Sequence, residues 1–336
     1  MKVIVDAFGG DNAPVEILKG SALAAEELSV QITLVGNKAE IKKAAEENNI
    51  DISSMDIVES GSIITAFDSP MTVIKSKQDS SMAVGLSLLA DGRGDAFVSA
   101  GSTGALVVGG TFIVKRIKGI KRAAIGTLMP SAENPFILLD AGANVECTPE
   151  FLNQFAIMGD IYMRQIMNVA SPRVGLANIG EEETKGTELY QEAYALMKEA
   201  NYNFIGNIEA RDIPYGKADV VVADGFTGNI ILKTYEGAAG ALGGMIKAMF
   251  KKNALTMLSA LLVKSGIDEF KSKMDYKEFG GAPLMGITKP VIKAHGSSDA
   301  RAFKNAIRQA KMFAEKDVVA EIENNLPIPK SKSNQE

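Results

Sequence analysis

Five places in this chain run an apolar segment straight into a turn of glycines, hydroxyls, amides and carboxylates, the residue types that bind anions. Segment 5–14 carries Asp6, Gly9, Gly10 and Asp11, and segment 98–105 carries Ser99, Gly101, Ser102, Thr103 and Gly104. Segment 139–144 has Asp140 and Asn144, 178–182 has Gly180, and 223–229 has Asp224, Gly228 and Asn229. Glycines let backbone N–H groups approach an anion, and a following helix start adds donors and a positive dipole end. Each turn taken alone also reads as ordinary structure. Asn12 and Pro14 suit a helix start, the aspartates suit helix caps, and 102–104 suits a tight turn. Five such turns on one predicted sheet edge, where ligands of parallel sheets bind, point to a phosphate or other anion site.

Other chemistries are poorly supplied. Cys147 is the only cysteine and His295 the only histidine, so a zinc centre of about four such ligands is not expected, nor an internal disulfide. Cys147 precedes Thr148-Pro149 at a predicted helix start and is expected to pack rather than react. His295 opens His295-Gly296-Ser297-Ser298 and suits either a ligand contact or a cap. The Gly101/Gly104 spacing is not a dinucleotide fingerprint, and no glycine-rich loop ends in the Gly-Lys-Ser/Thr of a P-loop. The 36 basic and 41 acidic residues give a net charge of −5, which argues against nucleic acid as a generic partner.

Two local stretches depart from that average. Residues 113–122 hold Lys115, Arg116, Lys118, Lys121 and Arg122 without an acid. They form either a solvated helix end or a docking patch for an acidic partner. Residues 254–263 are nearly all apolar, with Leu255, Leu258, Leu261 and Leu262 on one broad face and Asn253, Thr256 and Ser259 on a polar strip. Ten residues cannot span a bilayer, which needs roughly 20. The stretch belongs either at a subunit interface or in a membrane interface.

The elements that must position these residues alternate almost from end to end. Strands are predicted at 2–5, 31–35, 56–58, 96–99, 136–139, 173–178, 203–206 and 218–223, and helices at 15–28, 71–90, 105–118, 149–167 and 187–200. Strands rich in Val, Ile and Leu separated by helices imply an α/β fold with parallel strands buried on both faces. The segment 227–250 is helical and rich in Gly, Ala and Met, a composition that permits close helix packing and predicts a homodimer. After it come the apolar stretch, a charged run at 268–278, short strand-like pieces after Gly280-Gly281, and a last helix around 299–319. We expect one α/β unit over 1–325 with a helical protrusion at about 245–278 and a flexible tail at 326–336. The opening reaches Asp6 before any signal-peptide core forms, so a cytoplasmic location is expected.

Together the motifs resemble the bacterial acyl-[acyl-carrier-protein]:phosphate acyltransferase family, the PlsX type. The matching strings are 6–14, 75–82 with Lys77, Ser80 and Ser81, 99–105, 138–144, 178–182, 211–214 with Asp212, 224–229, 280–281 and 295–298. Phe8, Ser102 and Ala210 stand where Met, Asn and Gly are more usual. The resemblance implies a three-layer α/β/α sandwich related to phosphotransacetylases and isopropylmalate dehydrogenases, acting as a homodimer without a cofactor. It implies transfer of a long-chain acyl group from acyl carrier protein to inorganic phosphate. The acyl phosphate would pass to a downstream membrane glycerol-3-phosphate acyltransferase, so peripheral membrane contact is implied too.

Phosphate is itself a nucleophile, so such an enzyme need only position it and stabilise the oxyanion. The resemblance casts Lys185 and Asn229 as the catalytic pair, the turn residues as phosphate ligands, and the basic run as the carrier-protein dock. Two other readings stand beside it: an NAD-dependent decarboxylating dehydrogenase on a related fold, and a non-catalytic acyl-carrier binding module.

Overall fold

A computed structural model describes residues 1–267 and 280–326. The strands are β1 (Lys2–Asp6), β2 (Gln31–Gly36), β3 (Asp56–Glu59), β4 (Ala96–Ser99), β5 (Ala124–Ile125), β6 (Thr127–Met129), β7 (Phe136–Leu139), β8 (Val174–Asn178), β9 (Phe204–Glu209), β10 (Val220–Val222), β11 (Ala282–Met285) and β12 (Val291–Lys293). They form two sheets, ordered β3-β2-β1-β4-β12-β11-β5 and β6-β7-β10-β8-β9. Pairing is parallel except for β11 with β12, β11 with β5, and β6 with β7. The chain crosses from one sheet to the other at Gly126, where an added Cβ would lie 2.8 Å from Leu139 Cδ1 and 2.9 Å from Ile137 Cδ1. The five turns therefore divide between two sheet edges, not one. Two- and three-residue strands such as β5 and β6 leave no periodic trace, so the sequence reading misses them and the break they create.

The helices are α1 (Val15–Leu28), α2 (Lys38–Glu47), α3 (Ser81–Ala90), α4 (Thr103–Gly109), α5 (Pro149–Gln165), α6 (Glu188–Lys198), α7 (Gly225–Phe250), α8 (Ala254–Leu262), α9 (Ala300–Glu315) and α10 (Val318–Asn325). Alternation along each strand sends neighbouring residues to opposite faces. Val3 and Val5 of β1 meet Ile17 and Leu18 of α1 and Phe303 of α9 on one side of the first sheet. Ile4 packs on the other side with Leu86 of α3, in a core that continues to Phe136, Leu138 and Val221 of the second sheet. The far face of the second sheet, with Ile137, Val220 and Val222, is covered by Phe155 and Tyr162 of α5 and Phe313 of α9. Each such side chain contributes roughly 1.5–3 kcal/mol when fully buried. At the α1–α9 crossing an added Cβ on Gly20 would lie 2.7 Å from the Ala300 carbonyl oxygen.

Two predicted helices are broken. In place of one helix over 71–90 there is a short 3-10 turn at Pro70–Ile74, an irregular stretch, and then α3. Ser80 makes the break by capping α3, accepting from Ala83 N at 3.3 Å. The helix predicted over 105–118 begins at Thr103, widens to π geometry at Gly110–Lys115, and stops. Lys115 has φ +78° and Arg116 is extended, bridging to Ile287. Hence the basic run starts at a helix terminus, with Lys115 its last residue and Arg116 its cap, and Lys118, Lys121 and Arg122 continue it through the loop beyond. Ile117 and Ile120 are buried while Lys115, Arg116, Lys118, Lys121 and Arg122 stay exposed around them.

The outer part of α7 and all of α8 stand away from both sheets. Gly237, Gly240, Gly243 and Gly244 have nothing within 4 Å of an added Cβ, and no residue of α8 is buried. All of the charged run predicted at 268–278, with it the end of the expected protrusion, and most of the tail, 327–336, lie outside the described residues.

Candidate functional site

At the first sheet's edge a buried polar knot fixes two of the turns. Asp6 at the end of β1 accepts from Ser99 Oγ at 2.7 Å and from Phe8 N at 3.2 Å, with Ser81 as a further hydrogen-bond partner. Burial pushes the Asp6 carboxyl above its usual range, and these hydrogen bonds oppose the shift. Gly9 and Gly101 cross over the knot. A Cβ on Gly9 would lie 2.7 Å from both Asp6 Oδ2 and Gly101 N. The first turn is also tied to the loop after β12. Asp11 N donates to Gly296 O at 2.8 Å, and Asn12 Nδ2 reaches Ser297 O at 3.3 Å and Ser298 O at 3.2 Å.

A second knot closes the edge of the other sheet. Asp140, fully buried, accepts from the backbone N–H groups of Ile125, Gly142, Ala143 and Asn144 and from Asn144 Nδ2. Its carboxyl is raised by burial and held back by these donors. Asp224 caps α7, accepting from Phe226 N and Thr227 N at 2.9 Å each and from the Tyr190 hydroxyl. Gly225 N donates to Asn144 O at 2.7 Å, and Asn229 Nδ2 donates to Ala141 O at 3.2 Å. The α7 start is thus fastened to turn 140–144 on both sides.

Between the two edges lies a cavity of about 950 Å³, near the top of the roughly 300–1,000 Å³ range of small-molecule sites. Its polar end is lined by Thr103, Gly104, Lys293, His295 and Gly296 from the first sheet's edge and by Ala141, Gly142 and Asn229 from the second. Leu128, Met129, Pro130, Leu232 and Tyr235 make an apolar arm that runs out along α7 past Ala239, Gly240 and Gly243. Lys293 Nζ donates to Ala100 O at 3.2 Å and to Ala294 O. Burial brings the Lys293 ammonium down to about 8, and Asp11 and Asp6 partly offset this. His295 Nδ1 lies 2.9 Å from Ser297 Oγ and accepts from Ser297 N at 3.3 Å; burial lowers its pKa. At the start of the arm, Lys233 pairs with Glu236 at 2.8 Å.

Of the residues singled out in the sequence, Thr103, Gly104, Asn229 and His295 line this cavity. Asp6, Ser81, Ser99, Gly9, Gly101, Asp140, Asn144, Asp224 and Gly228 build the knots behind it. Gly10 and Asp11 stand beside Gly296, and Ser102 caps α4. Lys77 binds Asp68 at 2.8 Å and the Ile63 carbonyl at 2.8 Å, while Ser80 caps α3.

Lys185 does not line the cavity. It sits on the turn after β8 beside Gly180, 3.9 Å from Glu182. Asp212 joins Glu181 and Glu209, whose carboxylate oxygens gather within 4.8 Å, with Lys217 and Arg211 balancing their charge. Cys147 is half-buried, and burial pushes its thiol up to about 12, far from a nucleophile.

Sequence reasoning missed Gly142, Lys233, Tyr235, Glu236 and, above all, Lys293. The available signal was that 291–293 runs into the His295–Ser298 loop just as the other strands run into their turns.

Farther out, Arg122 lies over the Phe151 ring, 5.4 Å from its centroid. Leu255, Leu258, Leu261 and Leu262 are 76%, 58%, 68% and 81% exposed. Among the described residues no helix is long and apolar enough to cross a membrane.

Residues 1–321 match the family described as "Fatty acid synthesis protein". The chain is 48% identical over 98% of its length to a phosphate acyltransferase of Thermoanaerobacterium thermosaccharolyticum, covering 97% of that protein. It is 46% identical over 97% of its length to a phosphate acyltransferase of Clostridium botulinum, covering 98% of that protein. Its fold is similar to that of a phosphotransacetylase from Streptococcus pyogenes, with TM-score 0.64 and 18% identity over 94% of each chain. That likeness agrees with the expected α/β fold.

Proposed function

The chain belongs to the fatty acid synthesis protein family, and from that premise we propose that it is a phosphate acyltransferase whose donor is a long-chain acyl thioester of acyl carrier protein. The observation that carries this reading is a cavity that joins a cationic, amide-lined end to an apolar arm. One end suits inorganic phosphate and the other an acyl chain. A dehydrogenase would need a nicotinamide pocket instead, and a pure binding module would not need Asn229 and Lys293 at one end.

A phosphate oxygen attacks the thioester carbonyl carbon, forming the C–O bond. The tetrahedral oxyanion collapses with loss of the C–S bond, and the carrier leaves as a thiol with the proton that phosphate or water supplies. No acyl-enzyme is needed, in keeping with a thiol held near 12. Asn229, which lines the cavity, would donate to the carbonyl oxygen or to phosphate. Lys185, on the turn after β8 and outside the cavity lining, would supply charge to the substrate as it approaches. Loss of such a donor costs about 10²–10³-fold in kcat. Incubation with acyl carrier protein thioester and phosphate should release acyl phosphate and free thiol in equal amounts. Asn229→Ala and Lys185→Ala should be folded and severely slowed. An acyl group trapped on the protein when phosphate is omitted would overturn this route.

The exposed bases from Lys115 to Arg122 are proposed as the dock for the acidic carrier. The uncovered apolar faces of outer α7 and α8 are proposed to pair two copies of the chain and to rest on the membrane surface. That position would suit hand-over of acyl phosphate to a membrane glycerol-3-phosphate acyltransferase.

A further inference from the structure

We infer that Lys293 binds the attacking phosphate, dividing the cavity so that the first sheet's edge holds the nucleophile and the second sheet's edge holds the acyl carbonyl. The inference rests on the acyltransferase reading and adds a residue to it. An ammonium has three N–H donors. Lys293 uses two on the Ala100 and Ala294 carbonyls, which fixes Nζ beside the turn that carries Thr103 and Gly104. Its third donor remains for a ligand in the cavity it lines. A lysine confined in this way costs folding energy through desolvation, and it is not balanced by a carboxylate in hydrogen-bond contact among the described residues. A dianion would supply that balance.

The opposite wall offers Asn229 together with Leu128, Met129 and Tyr235, a surroundings suited to a thioester and its chain. Thr103 and Lys293 therefore face Asn229 across the space where the two substrates must meet. The charged and titratable groups around Lys293 are Asp6 on β1, Asp11 on the following turn, Lys233 and Glu236 on α7, and His295 beyond its own strand. Asp6 has its carboxyl raised by burial, and Glu236 is paired with Lys233.

The test compares full-length wild type with Lys293→Gln and Lys293→Arg, with acyl carrier protein thioester and phosphate varied separately. Lys293→Gln should raise KM for phosphate about 10- to 100-fold, the size of one lost charge-assisted hydrogen bond. KM for the acyl donor should stay within about twofold. Titration with inorganic phosphate alone, followed by calorimetry, should show the same loss without turnover. In wild type, kcat/KM for phosphate should fall as pH rises through about 8, as the ammonium loses its proton. Lys293→Arg keeps its charge there, so it should recover phosphate binding and lose this alkaline limb.

If phosphate KM and calorimetric binding match wild type in Lys293→Gln, or the alkaline limb persists in Lys293→Arg, the assignment to Lys293 is wrong. A wild-type protein that makes no acyl phosphate would instead overturn the acyltransferase reading. Phosphate binding by calorimetry would still judge Lys293 in that case.

Discussion

Gly228→Ala separates positioning from folding at this site. Gly228 lies in the first turn of α7, where an added Cβ would stand 1.9 Å from the Asp140 carbonyl oxygen and 3.0 Å from its carbon. Opening that contact to the 3.0 Å below which real Cβ atoms essentially never go requires about 1.1 Å of movement. The carbonyl cannot easily yield, because the Asp140 side chain is held by four backbone N–H groups and Asn144 Nδ2. Helix α7 must therefore shift, carrying Asn229 with it.

A displacement of about 1 Å at a reacting group costs on the order of 10²-fold in rate. Overpacking costs about 1–3 kcal/mol in stability. With about 2.1 cal/mol/K of unfolding entropy per residue, a chain of 336 residues loses only about 1–4 °C in Tm. The expected variant is thus folded, melts slightly early, and turns over about 100-fold more slowly in a thiol-release assay with saturating substrates. Gly237→Ala is the control, since nothing lies within 4 Å of its Cβ, and it should gain up to about 1 kcal/mol from helix propensity with activity intact. Wild-type turnover in Gly228→Ala would refute the claim that this crossing positions Asn229.

Lys293→Met should be more stable than wild type at pH 7, by at most about 3 kcal/mol, because folding no longer has to hold a partly buried, desolvated ammonium. The folded pKa lies below the unfolded one, so from pH 8 to 10.5 the unfolded chain binds the extra proton and wild type gains stability relative to the variant. Parallel melts that show no convergence over that window would contradict this. Leu258→Glu with Leu261→Glu should abolish sedimentation with anionic vesicles while soluble activity persists; continued pelleting would assign α8 to a protein interface alone. Reversing Lys115, Lys118 and Lys121 to Glu should raise KM for acyl carrier protein and flatten its salt dependence, with phosphate KM unchanged. An unaltered salt response would remove the patch from carrier docking.

The amino-acid sequence alone determined the alternation of strands and helices, because buried parallel strands and amphipathic helices each leave a periodic record of their own. It also marked the turns, because the close approaches at Gly9, Gly101 and Gly228 tolerate only a residue without a Cβ. Cys147 and His295 were legible for a simpler reason: their scarcity left little room for covalent or zinc chemistry. The pairing of strands was not legible. Nothing in 124–129 announces that Ile125 and Thr127 belong to different sheets, since that break depends on Leu139 and Ile137 crowding Gly126.

Tertiary structure alone decided which turns meet across a cavity and which lie elsewhere. Asn229 and His295 face one space, whereas Lys77 is drawn to Asp68 and Lys185 toward Glu182 by charges remote from it. It alone also exposed Lys293, whose character comes from burial near the Ala100 carbonyl. Desolvation and the field of distant carboxylates depend on three-dimensional surroundings, which no spacing along the chain records.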